Sequence, residues 1–172
     1  SGNSGGGGGG GVSIDQRLCD GSTALHIACS KRHFTIVNYL ISNGCDIENK
    51  NKDGTNALCL SCEKGFIEIV KLLLKSKSNI YVVNKYGYNS VHLSIYYGHI
   101  DILKLLISTY LETKQNQKNL TTINNNNNSN GNNNSYDTIA VDDEEEDDLL
   151  NRGDSQTNST PLMIASQRNQ FQ

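Results

Sequence analysis

The chain contains no apolar run approaching the roughly 18 residues of a membrane-spanning helix, so none is expected to cross a bilayer. Residues 1–11 are Gly-rich rather than basic then apolar, so they are not expected to act as a secretory signal. A strong charge of one sign is missing too: 15 Lys/Arg face 18 Asp/Glu, a net −3. Residues 12–111 hold 11 Lys/Arg and 8 Asp/Glu, a net +3, and residues 112–172 hold 4 and 10, a net −6. A net +3 spread over that length is too weak for a nucleic-acid surface. Apolar residues (35%) and charged residues (19%) fall below the globular averages of about 45–50% and about 25%. That shortfall is local, because Gly and Asn fill 1–11 and 124–134 and dilute an ordinary core. The first residue is Ser rather than Met, which suggests a piece of a longer or processed chain.

What the chain does have is a repeat. Asp20-Gly21 recurs as Asp53-Gly54 and again as Tyr86-Gly87, a step of 33 residues each time. The register holds through each unit. Ala24-Leu25-His26-Ile27-Ala28-Cys29 aligns with Ala57-Leu58-Cys59-Leu60-Ser61-Cys62 and with Ser90-Val91-His92-Leu93-Ser94-Ile95. Ile36-Val37 aligns with Ile69-Val70 and Ile102-Leu103, and Gly65 and Gly98 share a turn position with Arg32. Each unit reads as helix, turn, helix. Thr23, Asn56 and Asn89 precede the apolar pattern and can accept hydrogen bonds from first-turn amides. The first helix is expected at about 24–31 and the second at about 35–43. The second carries apolar Ile36, Val37, Tyr39, Leu40 and Ile41, a face wide enough to pack on neighbours from both sides. Gly44 follows as a left-handed stop. A lone unit of this size cannot bury its apolar face, so stacked units must share a core.

The 33-residue step, the Gly-Ser-Thr-Ala-Leu-His-Ile-Ala segment at 21–28 and the His-x-x-Ile-Val pattern at 33–37 resemble ankyrin repeats. The resemblance covers 18–111. It implies an all-α helical solenoid with short hairpin turns and three stacked units. Cys59 departs from the family's preferred His, and Lys77 and Tyr110 stand where its stop Gly is preferred. At 159–166, Ser-Thr-Pro-Leu-Met-Ile-Ala-Ser resembles the start of a fourth unit, with Pro161 at the first helical position and Met163 in the His place. By the repeat step that threonine was due at 122, so 38 residues are inserted. The expected organisation is a flexible 1–17, three repeats at 18–111, an Asn-rich and acidic insertion at 112–157 without order, and a truncated fourth unit at 158–172.

Candidate chemistry is sparse. Cys59 and Cys62 form a Cys-x-x-Cys pair with no second pair, so four zinc ligands are not assembled. Five cysteines are an odd number, read here as reduced, packed thiols of an intracellular, cytoplasmic protein. His26 and His92 are expected to hydrogen-bond caps and adjacent hairpins. His33 and His99 sit where an imidazole can meet turn carbonyls. No nucleophile elbow, phosphate loop or carboxylate pair is visible. The expectation is therefore a monomeric non-enzyme with no metal and no cofactor.

The resemblance also implies a recognition face made of hairpin tips and first helices. By register its residues are Lys52, Asp53, Thr55, Glu63 and Lys64 in the second unit and Lys85, Tyr86, Tyr88, Tyr96 and Tyr97 in the third. Four of eight tyrosines gather there. Tyrosine joins large contact area to a polar tip and recurs in interface hot spots. The rings read either as a partner surface or as cover for the end of the stack. The function implied is protein–protein interaction, as an adaptor or as the regulatory array of a larger enzyme. Residues 142–148 are seven consecutive acids followed by Leu149-Leu150. They read as a solvated linker, as a dileucine-type sorting signal, or as a salt-sensitive tract folding back on the stack.

Overall fold

The computed structural model describes residues 13–127, Gly153 and residues 159–169. Among the described residues seven helices form: α1 (Ala24–Ser30), α2 (Phe34–Ser42), α3 (Ala57–Lys64), α4 (Ile67–Lys75), α5 (Ser90–Tyr96), α6 (Ile100–Asn127) and α7 (Pro161–Asn169). No strand forms among the described residues. The first helices α1, α3, α5 and α7 lie side by side in one row, and α2, α4 and α6 form a second row packed against it. This is the all-α repeat fold that the periodicity predicted.

The helix starts have the expected chemistry. Asn56 Oδ1 accepts the Cys59 amide at 2.9 Å. Asn89 Oδ1 accepts the Val91 and His92 amides, each at 3.0 Å. In the first unit the Thr23 amide donates to His26 Nδ1 at 3.2 Å, so the imidazole reaches back over its own first turn. The same ring's Nε2 lies 3.0 Å from the Thr55 carbonyl in the next hairpin. Because Nδ1 accepts, the proton sits on Nε2 and is donated to Thr55. His26 thereby ties one unit to the following one.

The seam between units is dry. Leu25, Leu58 and Val91, one register position, are each 1% exposed or less, as are Val37, Val70 and Cys62. Burying a side chain of this kind contributes about 1.5–3 kcal/mol relative to leaving it in water. The hairpins add a backbone stitch. The Lys52 amide donates to the Asp20 carbonyl at 2.9 Å, and the Lys85 amide to the Asp53 carbonyl at 2.7 Å. Carboxylates repeat the pattern: Asp15 accepts the Asp46 amide, and Glu48 accepts the Asn79 amide at 2.8 Å and the Asn56 side-chain amide at 3.1 Å.

The helix stops separate the units. Gly44 ends α2 at φ 76°, and Lys77 takes the same left-handed conformation at φ 67° after α4. The third unit has Tyr110 there, and no stop occurs. Helix α6 runs on to Asn127. The expected boundary at 111 and an unordered start to the insertion are therefore corrected. Glu112, Lys114 and Gln115 are good helix formers, and no Gly or Pro interrupts them. The rest of the expected insertion, Gly153 aside, lies outside the described residues, as do residues 1–12. Helix α7 seats the fourth unit's first helix on α5, with Pro161 and Ile164 buried, and the Met163 amide meets Thr160 Oγ1 at 3.4 Å.

A second difference concerns α2. Both sides were expected to be covered, yet Ile36 is 48% exposed, whereas its register partners Ile69 and Ile102 are 1% and 2% exposed. Helices α4 and α6, which carry Ile69 and Ile102, each pack on the second helix of the preceding unit, and α2 has no such unit before it among the described residues. Tyr39 is exposed on the same helix.

Two tests follow from this packing. Gly44 and Gly54 both have φ near 75°, but a Cβ at Gly44 meets nothing within 4 Å, while one at Gly54 lies 3.2 Å from the Lys85 amide nitrogen. Gly44→Ala should cost about 1–2 kcal/mol of stability for the left-handed residue alone. Gly54→Ala should cost clearly more in urea unfolding, since it also pushes the stitch apart, and equal losses would remove the stitch argument. Burial holds the His26 imidazole below its ordinary 6.5, outweighing the Thr55 contact. The unfolded chain therefore takes up the proton first. Stability is complete above the unfolded value and falls as pH drops below it, so the unfolding midpoint should decline as pH is lowered through about 6.5. His26→Gln should make that decline shallower, and an unchanged slope would exclude His26 as its source.

Candidate functional site

The hairpin tips are built before their side chains can act. Asn51 Oδ1 accepts the Asp53 and Thr55 amides at 3.0 and 2.9 Å. One repeat later Asn84 Oδ1 accepts the Tyr86 and Tyr88 amides, both at 3.0 Å. Each is a local Asx turn that fixes the loop without help from a neighbour. Both asparagines were missed as site-forming residues, although their 33-residue spacing was available as a signal.

On this frame Lys52, Asp53, Lys85 and Tyr86 stand exposed at adjacent tips. Lys85 Nζ lies 2.6 Å from Asp53 Oδ1 and 5.0 Å from the centre of the Tyr86 ring. The hydrogen bond to Asp53, and then that to Tyr86, raises the Lys85 ammonium above its ordinary range. The pair is open to water, so its role is to orient the tips rather than to stabilise the fold. Glu63 and Lys64 form a similar pair at the end of α3, at 2.7 Å.

Four rings continue from the tip along α5. Tyr88, half-buried, lies near-parallel to Tyr96 with ring centres 6.3 Å apart, and 5.8 Å from the His92 ring. Tyr96 meets Tyr97 edge to face at 5.1 Å. Tyr97 stacks on His99 at 6.4 Å. Contacts of this geometry contribute about 0.5–1.5 kcal/mol each beyond their burial. The row is anchored at its far end, where His99 Nε2 lies 3.1 Å from the Glu63 carbonyl. A Cβ on Gly65 would come within 2.6 Å of the His99 ring, so the bare glycine lets the imidazole lie flat on the turn. Of the two turn histidines, His99 meets the carbonyl as expected, while His33 is exposed.

Nine of the ten sequence-derived positions are exposed or half-buried. Thr55 is not. It is 7% exposed, and its carbonyl is the acceptor for His26. The correction has a plain cause: the residue two after the tip turns inward to begin the seam. Helix α7 packs on α5, and Tyr96 and Tyr97 remain 43% and 45% exposed beside it.

The cysteines play a different part. Burial pushes Cys29 and Cys59 up to about 12, and Cys62 well above its ordinary range. At neutral pH such thiols keep their protons, and it is the thiolate that attacks or binds metal. Cys59 Sγ donates to the Val82 carbonyl at 3.5 Å, taking over the inter-unit tie that His26 makes one repeat earlier. No cluster of three or more His, Cys, Asp or Glu suited to a metal occurs among the described residues.

Comparison with known families gives two matches. A model described as Ankyrin repeats (3 copies) matches residues 36–122, and one described as Ankyrin repeats (many copies) matches residues 11–58. No curated protein matches the chain.

The thiol geometry is directly checkable. A maleimide reagent at pH 7 should label exposed Cys19 within minutes in the native protein. It should reach buried Cys29, Cys59 and Cys62 only after denaturation, as read by mass spectrometry. Native labelling of Cys59 at the rate of Cys19 would contradict the buried assignment.

Proposed function

This chain belongs to the ankyrin repeat family, and we propose that it is a protein–protein interaction module whose recognition face is the tip and first-helix surface of the second and third units. Ankyrin repeats are interaction modules, and binding rather than catalysis is the reading that the buried, protonated thiols and the hydrogen-bonded histidines support. The observation that carries the proposal is the aromatic row Tyr88–Tyr96–Tyr97–His99, with exposed Tyr86 and Lys85 at its edge. Its rings are held by each other and by the backbone, so little side-chain freedom is lost when a partner docks. Exposed tyrosines in a fixed array also supply both apolar area and hydroxyl donors.

The alternative role, cover for the end of the stack, is weakened by α7. That helix packs on α5, where the next unit belongs, and Tyr96 and Tyr97 stay accessible. Asp53, Lys85, Glu63 and Lys64 would then frame the rings with paired charges that select orientation more than affinity. No helix of the described residues is long and apolar enough to cross a membrane. Free, buried thiols fit a reducing, intracellular setting. The Leu149-Leu150 sorting reading falls outside the described residues.

The test is site-specific photocrosslinking of the whole chain in its own cells. A photoreactive residue at Tyr97 should yield a discrete protein adduct, and one at Tyr39 on the second-helix row should not. Tyr86→Ala with Tyr96→Ala should lower the Tyr97 adduct at least about tenfold, the scale expected for losing interface aromatics. Helical circular dichroism should be unchanged. Equal adducts at Tyr39 and Tyr97, or loss of helix in the double variant, would reject the tyrosine face.

A further inference from the structure

A second surface lies on the other helix row. Helices α4 and α6, with the loop after α4, enclose an open groove of about 850 Å³. Its rim carries Lys71, Lys75 and Lys77, all exposed, and Leu74, Tyr81 and Leu105 supply its apolar part. Glu112 is the one acid lining it among the described residues. Lys71 also meets Glu68 at 3.0 Å along α4, an exposed pair that water and salt weaken. The groove is therefore basic at its edge and apolar within.

One segment of this chain has the opposite pattern. Residues 142–148 are seven consecutive acids, and Leu149 and Leu150 follow directly. Acids beside two leucines match lysines beside Leu74, Tyr81 and Leu105. The tether is long enough. Helix α6 lines the groove as far as Asn116 and ends at Asn127. Those 11 residues advance about 16 Å. The 15 residues from 127 to 142 can span about 50 Å when extended. The chain can thus leave the groove along α6 and return to it.

We propose that residues 142–150 dock in the α4–α6 groove of the same chain, with the acids on Lys71, Lys75 and Lys77 and the leucines against Leu74, Tyr81 and Leu105. This surface is separate from the tyrosine row, and the proposal does not depend on it. The association is electrostatic at its rim and weakens as salt shortens the screening length.

The experiment compares two full-length chains, the natural one and one in which every acid of 142–148 is changed to Asn or Gln. The probe is a fluorescein-labelled peptide with the sequence of residues 142–150, followed by anisotropy. The neutralised chain should bind the peptide at least about tenfold more tightly than the natural chain, whose own segment competes at high effective concentration. Adding Lys71→Glu, Lys75→Glu and Lys77→Glu to the neutralised chain should cut binding at least about tenfold, and raising NaCl to about 0.5 M should do the same. The milder Lys71→Gln, Lys75→Gln and Lys77→Gln set should also weaken binding, and covers the case in which charge reversal unfolds the chain. Overturning results are an absence of peptide binding, equal affinity for both chains, or indifference to the lysine changes. If occupancy in the natural chain varies with protein concentration, the segment comes from a second copy, which also overturns the same-chain assignment.

Discussion

The Lys52 amide meets the Asp20 carbonyl, and one repeat later the Lys85 amide meets that of Asp53. This stitch sets the spacing of the hairpin tips, and with it the spacing of everything the tips carry. It demands a backbone approach close enough that a Cβ on Gly21 or Gly54 would crowd the Lys52 or Lys85 amide nitrogen, at 3.0 and 3.2 Å. It also demands that the first helices follow at one angle, so that Leu25, Leu58 and Val91 fall into one seam. The seam then excludes water from His26 and Cys59, and their cross-unit contacts gain strength in the dry interior. Side-chain ties, apolar burial and backbone stitch all point the same way, as local and global preferences do in a foldable sequence.

Much of this was legible in the residues. Self-similarity at 33 positions gave the unit, the caps gave the starts of α1, α3 and α5, and the apolar rows gave the core. Pro161 correctly announced α7 because proline suits a first helical turn. Two features escaped for physical reasons. Composition predicted no order across 112–157, but helix propagation needs only the absence of a breaker, and Tyr110 is not one. Apolar content predicted two-sided packing for α2, but which side is covered depends on what stands next to it, which the helix pattern does not carry.

The site was legible in position more than in geometry. Register placed Tyr86, Tyr88, Tyr96 and Tyr97 near one another, but not their ring-to-ring order. That order comes from His99, whose ring rests on Gly65 of the preceding unit. Thr55 was misplaced because a repeat position marks a neighbourhood, while inward or outward direction is decided within two residues of the tip. Asn51 and Asn84 were overlooked because a polar residue in a turn looks ordinary until its carbonyl oxygen is seen holding two amides.

The half-open flank at Ile36 and Tyr39 marks one end of the array, and α7, a first helix seated on α5, marks the other. A linear array loses order from its terminal modules first. The tyrosine-bearing α5 lies inside both ends, held between α3 and α7. Heat or denaturant that peels a terminal helix therefore reaches the rings only after a neighbour of α5 has gone.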